Sequence, residues 1–220
     1  MKKPALPHIK ICGLRTEDDV SHVIEAGARW MGFVHFEKSP RHVSLEEAEQ
    51  LIAHAKSQSP HVETVVLLVN PAPEDAVQIA DQIGVDHIQL HGQETNDTIR
   101  AIRAKRPTGE IWKALPISTQ DDLKQTSDFP AADRFLFDAK PPKDADRPGG
   151  WGHSFDWTLL ADFKSDRPWL LAGGLTPENV AEAVRISGAQ AVDVSSGVEK
   201  EKGVKDRALI ESFAKEAHPA

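Results

Sequence analysis

Two residues of this 220-residue chain combine a type and a position suited to proton transfer: Cys12 and Asp138. Cys12 is the only cysteine and ends the apolar run Ile9–Cys12, whereas Asp138 directly follows the run Arg134–Phe137. A thiolate can accept a proton and a protonated carboxyl can donate one, so the two could act as base and acid. Each also has a structural explanation, because lone cysteines are often small buried hydrophobes and aspartates often begin turns.

The two catalytic roles place opposite demands on the pKa. A cysteine pKa of about 8.5 has to fall, helped by nearby positive charge. An aspartate pKa of about 3.9 has to rise, which burial under a covering loop would achieve. Pro141–His153 is long and rich in Pro, Gly and charge, as lids often are. We therefore expect a cation near Cys12 and a lid over Asp138.

Two glycine-containing turns are suited to bind a phosphate. Gly173-Gly174 and Ser195-Ser196-Gly197 each follow a short apolar run. Glycine lets the backbone approach a ligand closely, so that its N–H groups can point at an anion. Both could also be ordinary turns between elements. We predict a phosphate site formed by Gly173, Gly174, Ser195, Ser196 and Gly197.

Arg41 and His91 are further candidates for substrate binding. The guanidinium of Arg41 is a planar fork that matches a carboxylate, although a loop arginine is more commonly a solvated charge. His91 follows the run His87–Leu90 and is either a substrate contact or a hydrogen-bonded structural group. The ten histidines show no metal-ligand spacing, so we predict no metal and no cofactor.

Strand-like and helix-like segments alternate eight times along the chain. The predicted strands are Ile9–Cys12, Trp30–His35, Thr64–Val69, His87–Leu90, Glu110–Leu115, Arg134–Phe137, Pro168–Ala172 and Ala191–Val194. Predicted helices cover Glu17–Ala26, Pro73–Ile83, Thr95–Arg106, Asp156–Phe163 and Asp206–Ala217, and others begin at Ser44, Ser118 and Thr176. Ser44 and Glu47 form a capping box, and Pro177 takes the first position after Thr176.

This alternation predicts an α/β fold, a single (β/α)8 TIM barrel formed by one domain over residues 1–220. A doubly wound open sheet is the competing architecture, but it would place a Gly-x-Gly-x-x-Gly turn after the first strand, where Cys12-Gly13-Leu14-Arg15 stands. In a barrel, each candidate residue lies near the carboxyl end of a strand, which is the catalytic face of the fold.

Composition restricts the class of protein further. A net charge of −8 argues against general nucleic-acid binding, yet it allows a small phosphorylated substrate. One cysteine permits no internal disulfide, and no segment has the length and apolar character of a signal peptide or a membrane span. We expect a cytoplasmic protein with no membrane or nucleic-acid partner, as a monomer or homodimer.

The chain resembles the phosphoribosylanthranilate isomerase family of tryptophan biosynthesis. The similar stretches follow the family order: Lys10-Ile11-Cys12-Gly13-Leu14, Gly32-Phe33-Val34 with Lys38-Ser39-Pro40-Arg41, Gln89-Leu90-His91-Gly92, Phe137-Asp138-Ala139-Lys140, Ala172 to Val180, and Val192 to Glu199. Each stretch is weak alone, but together they cover the chain and are highly specific.

The resemblance implies an aldose–ketose isomerase that performs an Amadori rearrangement of N-(5-phosphoribosyl)anthranilate. It implies that Asp138 is the general acid and Cys12 the general base, that Arg41 meets the anthranilate carboxylate, and that the glycine and serine turns hold the phosphate. Two alternatives remain at this point. A related histidine-pathway isomerase would use two carboxylates in place of Cys12, and a binding or scaffold protein would have lost the chemistry.

Two segments depart from the family pattern. His35-Phe36-Glu37 replaces a Tyr-Pro-like pair, and Gly149-Gly150-Trp151-Gly152 places a tryptophan where a small or polar residue is usual. We expect neither segment to touch Cys12 or Asp138, so that the departures affect loop dynamics and turnover rather than the reaction.

Overall fold

The computed structural model describes residues 6–142, 144, 148–150 and 152–218. Eight parallel strands close into a barrel in sequence order, because the eighth strand pairs with the first. The strands are β1 (His8–Cys12), β2 (Trp30–Val34), β3 (Glu63–Leu68), β4 (His87–Leu90), β5 (Ile111–Ile117), β6 (Arg134–Ala139), β7 (Trp169–Leu171) and β8 (Ala191–Val194). The predicted (β/α)8 barrel is thus confirmed, and the open sheet is excluded. The single-domain boundaries at residues 1 and 220 lie outside the described residues and stay a prediction.

Within the described residues, six α-helices pack around the barrel. They are α1 (Glu17–Glu25), α2 (Leu45–Gln58), α3 (Pro73–Ile83), α4 (Asn96–Lys105), α5 (Val180–Ser187) and α6 (Arg207–Ala217). The part of the chain that the structure describes also holds 3-10 segments at Gln120–Asp128, Trp157–Leu160 and Ser196–Val198. A short hairpin pairs β9 (Glu199–Glu201) with β10 (Val204–Lys205). Among the described helices, none has the length and apolar composition needed to cross a membrane.

The helix starts follow from local hydrogen bonding. The predicted capping box at Ser44 and Glu47 is confirmed, and a second one forms at Thr16 and Asp19. α3 begins with Pro73 at its first position and ends at Gly84, which has φ = +65°. The capping side chains pair with N–H groups that the helix itself leaves unpaired, and Pro73 has no N–H that would need a partner. The sequence signals therefore predicted these boundaries to within a residue or two.

Two of the predicted helices form differently. After β5, the chain makes a 3-10 segment that starts beyond Ser118, because the Asp122 carboxylate accepts hydrogen bonds from the backbone of Ser118 and Thr119. Such local side-chain bonds compete with α-helical pairing. After β6, the helix expected at Asp156–Phe163 is also a 3-10 segment, Trp157–Leu160.

The start of α5 also differs from the expectation. Thr176 and Pro177 belong to a turn, and the helix begins at Val180. The Asn179 side chain accepts a hydrogen bond from the Thr176 N–H and thereby stabilises that turn. The segment between β7 and α5 is therefore a loop that ends in this turn, and Pro177 is not the first residue of the helix.

Inward-facing residues fill the barrel from its amino to its carboxyl end. Alternate residues of a strand share a face, so Leu136 and Asp138 both point inward on β6, as Ala191 and Asp193 do on β8. The lower interior is apolar and contains Trp30, Val65, Trp112, Ala114, Leu136, Leu170, Ala172 and Ala191. Above it, the inward positions change to polar residues. The barrel therefore places an apolar layer beneath the polar side chains that stand at the carboxyl ends of the strands.

Candidate active site

The carboxyl ends of the strands surround an open cavity of about 710 Å³, mouth included. Of the predicted site residues, those that line it are Cys12, Arg41, His91, Asp138, Gly173, Gly174, Ser195 and Ser196. Gly197 is not among the lining residues. A Cβ at this position would lie 1.8 Å from the carbonyl oxygen of Leu175, so the glycine allows two backbone segments to pack closely.

Cys12 ends β1, and its thiol is almost fully buried at the edge of the cavity. Gly32 of β2 makes room for it, because a Cβ there would lie 2.7 Å from the Cys12 Sγ. Burial raises the pKa of the Cys12 thiol, and the positive charges of Lys10 and then Lys205 oppose that rise. The expected nearby cation is thus present. The expected fall in the cysteine pKa is wrong, because burial outweighs the cations.

Asp138 points into the cavity from β6, opposite His91. The His91 Nε2 lies 3.3 Å from an oxygen of the Asp138 carboxylate. On the other side of the ring, the Gln89 amide nitrogen is 2.9 Å from His91 Nδ1. The ring thus lies between the Gln89 amide and the Asp138 carboxylate. His91 therefore contacts the predicted acid, and its contact with substrate stays a prediction.

A glycine-rich loop covers Asp138. A Cβ on Gly149 would lie 2.6 Å from Asp138 Oδ2 and 2.7 Å from His91 Nε2, so only glycine allows this approach. The predicted lid is thus present at this point. The expectation that Gly149-Gly150-Trp151-Gly152 stays away from Asp138 is wrong, because its first glycine packs on the carboxylate. Trp151 itself lies outside the described residues.

Arg41 is buried and paired with Glu199, and is not a solvated loop charge. Its Nε and Nη2 groups donate to the two Glu199 carboxylate oxygens at 2.6 and 2.9 Å. Lys205 Nζ also donates to Glu199, at 2.8 Å. Burial alone would raise the pKa of Glu199, but the hydrogen bond from Arg41 and the charge of Lys205 lower it to about 2. Glu199 is therefore an anion that fixes the plane of the guanidinium.

The Arg41 guanidinium keeps a second edge toward the cavity. An arginine has five N–H donors, and the Glu199 pair uses the Nε side of the fork. The Nη1 end faces Gly150, where a Cβ would come within 2.6 Å of it. This edge can pair with a second carboxylate in the cavity.

The two turns predicted for phosphate lie side by side at one edge of the cavity. Gly173 and Gly174 have φ values of +83° and +62°, which side chains disfavour. Among hydrogen bonds between described residues, none uses the N–H of either glycine. The Ser195 hydroxyl is already occupied, since it donates to the Cys12 carbonyl oxygen at 2.9 Å. Free backbone N–H groups and the Ser196 hydroxyl thus remain available for an anion.

Comparison with known proteins agrees with this arrangement. Residues 9–216 match the family described as N-(5'-phosphoribosyl)anthranilate (PRA) isomerase. The isomerase of Hyphomonas neptunium is 47% identical over 210 residues, which are 95% of this chain and 96% of that protein. The chain belongs to the N-(5'-phosphoribosyl)anthranilate isomerase family. Membership makes it an isomerase that acts in tryptophan biosynthesis, as the resemblance of its motifs predicted.

Solved structures of N-(5'-phosphoribosyl)anthranilate isomerases are similar over nearly the whole chain. Two structures of the Thermotoga maritima enzyme, one of them of monomers generated from a dimeric isomerase, align with TM-scores of 0.80 and 0.85. They are 34% and 35% identical, and cover 96% of this chain and 98% of theirs. A third structure holds reduced 1-(o-carboxyphenylamino)-1-deoxyribulose 5-phosphate, at 32% identity, the same coverage of both chains and a TM-score of 0.81.

Sequence reasoning missed the buried ions beneath this isomerase site. Lys10 and Asp193 form an ion pair of 2.7 Å inside the barrel, and Asp193 lines the cavity. Glu199 and Lys205 form a second pair behind Arg41. One signal was available, because Lys10 and Asp193 are charged residues inside short apolar strands. A charge in such a position is retained only where a partner of opposite sign is present.

Proposed function

We propose that this chain converts N-(5-phosphoribosyl)anthranilate into 1-(2-carboxyphenylamino)-1-deoxyribulose 5-phosphate by general acid–base catalysis. The observation that carries the proposal is that Cys12 of β1 and Asp138 of β6 face the same cavity. Family membership supports this reaction over that of the histidine-pathway isomerase, which would be expected to use two carboxylates. The presence of both proton-transfer groups argues against a scaffold that has lost the chemistry.

In the first half of the reaction, Asp138 is the general acid. It donates a proton to the ribose ring oxygen, the bond from that oxygen to C1 breaks, and the anthranilate nitrogen forms a cationic Schiff base with C1. Gly149 and the His91 ring, both next to Asp138 Oδ2, restrict the positions from which the substrate can approach the carboxyl group. A defined approach favours proton transfer to one oxygen atom.

In the second half, Cys12 is the general base. It takes the proton from C2, and the electron pair of that bond neutralises the cationic imine to give an enolamine, which becomes the ketone. The imine makes this C–H bond acidic enough for a thiolate to act without metal or cofactor. Its positive charge, once formed beside the buried thiol, also favours the thiolate form. The raised thiol pKa of the free protein is therefore compatible with this role.

Substrate binding divides between the two sides of the cavity. We infer that the Nη1 edge of Arg41 binds the anthranilate carboxylate, and that the backbone of Gly173 and Gly174 together with Ser196 binds the phosphate. Ser195 contributes its backbone to phosphate binding, because its hydroxyl is hydrogen-bonded to the Cys12 carbonyl oxygen of β1. Gly197 contributes indirectly, because its lack of a side chain allows the turn to pack against Leu175. These assignments and a substrate contact for His91 stay predictions.

The remaining expectations concern partners and location. The relative that binds a reduced product analogue supports a phosphorylated small-molecule ligand for this chain. The absence of nucleic-acid and membrane partners, the cytoplasmic location, and the choice between monomer and homodimer stay predictions. The same is true of the absence of a metal or cofactor, and of a single domain over residues 1–220.

A fluorescence assay with freshly generated phosphoribosylanthranilate tests the reaction and the base together. We expect wild type to remove the anthranilate-type fluorescence, and Cys12→Ala to show no turnover above the spontaneous rate. Binding of a reduced product analogue should be nearly unchanged in Cys12→Ala, which controls for folding. Turnover by neither protein would contradict the proposed activity, and turnover by both would contradict the role of Cys12.

A further inference from the structure

Lys10 is the nearest charged residue to Cys12 along β1. The two residues are separated by one position, so they share the inward face of the strand. The Lys10 side chain is fully buried, and its Nζ lies 2.7 Å from Asp193 Oδ1 on β8. Strand pairing places Lys10 directly beside Asp193. A lysine, a carboxylate and the single thiol are therefore grouped in the barrel interior.

The ammonium of Lys10 stays charged in this position. Burial opposes its charge, but Asp193 and then the Cys12 thiol act in the other direction, and the net effect raises the pKa of Lys10. A buried ammonium needs acceptors for its protons, and the carboxylate supplies one of them. The Cys12 side chain, two positions along the same face of β1, is the group that would supply a second anion beside it.

Lys205, a second cation near the thiol among the described residues, is already committed. Lys205 donates to Glu199 at 2.8 Å and to the Ser195 carbonyl oxygen at 2.9 Å. Of the charged groups that act on Cys12, Lys10 opposes the rise of its pKa most strongly, Asp193 adds to the rise, and Lys205 opposes it less. Lys10 is thus the cation best placed to pair with a thiolate.

We propose that Lys10 is a positioning residue for the proton-transfer step, whose ammonium is shared between the Asp193 carboxylate and the Cys12 thiolate. The proposal rests on Cys12 as the proposed base. Before proton transfer, the ammonium compensates the thiolate that points into the cavity. After Cys12 has taken the substrate proton, the ammonium pairs with Asp193 alone, so the ammonium has an anionic partner at both stages.

The single cysteine makes the test direct. In Lys10→Met, the pH at which half of Cys12 is thiolate should rise by at least about one unit, which is a tenfold loss of thiolate at neutral pH. Ultraviolet thiolate absorbance, with Cys12→Ser as the blank, and the pH dependence of iodoacetamide alkylation followed by mass spectrometry measure this midpoint. The acid limb of kcat/KM should move to higher pH in the same variant, because activity requires the unprotonated thiol.

A matched lysine separates the local effect from a loss of buried charge in general. Lys113 of β5 is also buried and pairs with Glu94 at 2.8 Å. Lys113→Met should leave the pH midpoint of the Cys12 thiol at its wild-type value. Lys10→Arg should keep that midpoint close to the wild-type value, because the cation is retained. A midpoint raised equally by Lys113→Met would overturn the proposal.

Removing Lys10 alone leaves Asp193 unpaired and can prevent folding. The double variant Lys10→Met/Asp193→Asn avoids the unpaired charge, and it is compared with Asp193→Asn, which keeps the ammonium. The double variant should titrate at higher pH than the single one. Equal midpoints in this comparison would show that Lys10 does not stabilise the thiolate.

The titration also separates this proposal from the function it rests on. If Cys12→Ala keeps its turnover, Cys12 is not the base, although the thiol midpoint still reports whether Lys10 pairs with it. If Cys12→Ala is inactive and the midpoint does not depend on Lys10, the reaction assignment stands and the positioning role is wrong.

Discussion

At the amino ends of the strands the barrel is closed by aromatic rings and paired ions, whereas at the carboxyl ends it opens into the cavity. Arg134 at the closed end lies over the rings of Trp30 and Trp112, 5.0 and 5.2 Å from their centroids. The same guanidinium donates to both oxygens of Glu110 at 2.9 and 3.0 Å. Arg134 thus packs with its faces on aromatic rings and its donors on a carboxylate.

Neighbouring polar groups at the closed end are paired in the same way. Glu63 accepts hydrogen bonds from Trp30 Nε1, from the His87 ring and from Arg29. His87 in turn accepts from the Glu110 N–H. This network resembles the open end in residue types, and surface clefts border it as well, one beside Glu63 and His87 and another beside Arg29 and Arg134. It differs in that the donors named here meet protein acceptors.

The open end keeps part of its hydrogen-bonding capacity for a ligand. Arg41 uses one edge of its fork on Glu199, and the other edge faces the cavity. Gly173 and Gly174 present N–H groups that no described residue accepts. The comparison teaches that charged residues alone do not mark an active site in this barrel. The distinguishing feature is a donor or acceptor that is held rigidly and still unpaired toward a cavity.

The largest expected effect comes from removing the acid at the open end. Asp138→Asn keeps the shape of the side chain but cannot donate the carboxyl proton, so kcat should fall by about 10²–10⁴-fold. Asp86→Asn is the matched control, because that carboxylate lies near the closed end and accepts from Thr64 N and Oγ1. It should lower stability with little change in kcat. Near-normal kcat in Asp138→Asn would remove Asp138 from the mechanism.

The second effect should appear in stability rather than in rate. Arg134→Met removes the guanidinium that pairs with Glu110 and lies over two indole rings. We expect this loss to lower the free energy of unfolding by about 3 kcal/mol. Denaturant unfolding measures this change, and the fluorescence assay should give nearly the wild-type kcat for the folded fraction. A variant with normal stability and reduced kcat would show that the closed end contributes to catalysis.

The smallest effect should fall on substrate binding. Arg41→Lys keeps the charge but cannot pair with Glu199 and a substrate carboxylate at the same time, so KM should rise about tenfold with kcat less affected. Arg134→Lys, the same substitution at the closed end, should leave KM unchanged. A loss confined to kcat in Arg41→Lys would mean that the guanidinium acts in the transition state.

Most of the fold followed from local sequence signals. The apolar runs located all eight barrel strands, with β4 and β8 predicted to the residue, because strands buried on both faces are continuous apolar segments. The segments after β5 and β6 were predicted as helices, but both form 3-10 turns. Their polar side chains bond to nearby backbone, and that competition depends on geometry that helical periodicity does not contain.

The site was predictable in its outline and less so in its electrostatics. Cys12 and Asp138 were identified from residue type and strand end, but the direction of the Cys12 pKa shift was not. That direction depends on how deeply the thiol is buried and on Lys10, Asp193 and Lys205 around it. The role of Glu199 as the partner of Arg41 also requires the fold, since 158 positions separate the two residues.

Three contacts that complete the site join the first quarter of the chain to its last. Lys10 contacts Asp193, and Ser195 contacts the Cys12 carbonyl, across 183 positions each. The Arg41–Glu199 pair also joins the two ends of the chain across the β1–β8 junction, which is the seam of the barrel. Neither half of the chain can form these contacts alone. Catalytic competence therefore requires the pairing of β8 with β1 that closes the barrel. Any ligand that bridges this seam favours the closed barrel over forms in which the seam has opened, in proportion to its affinity.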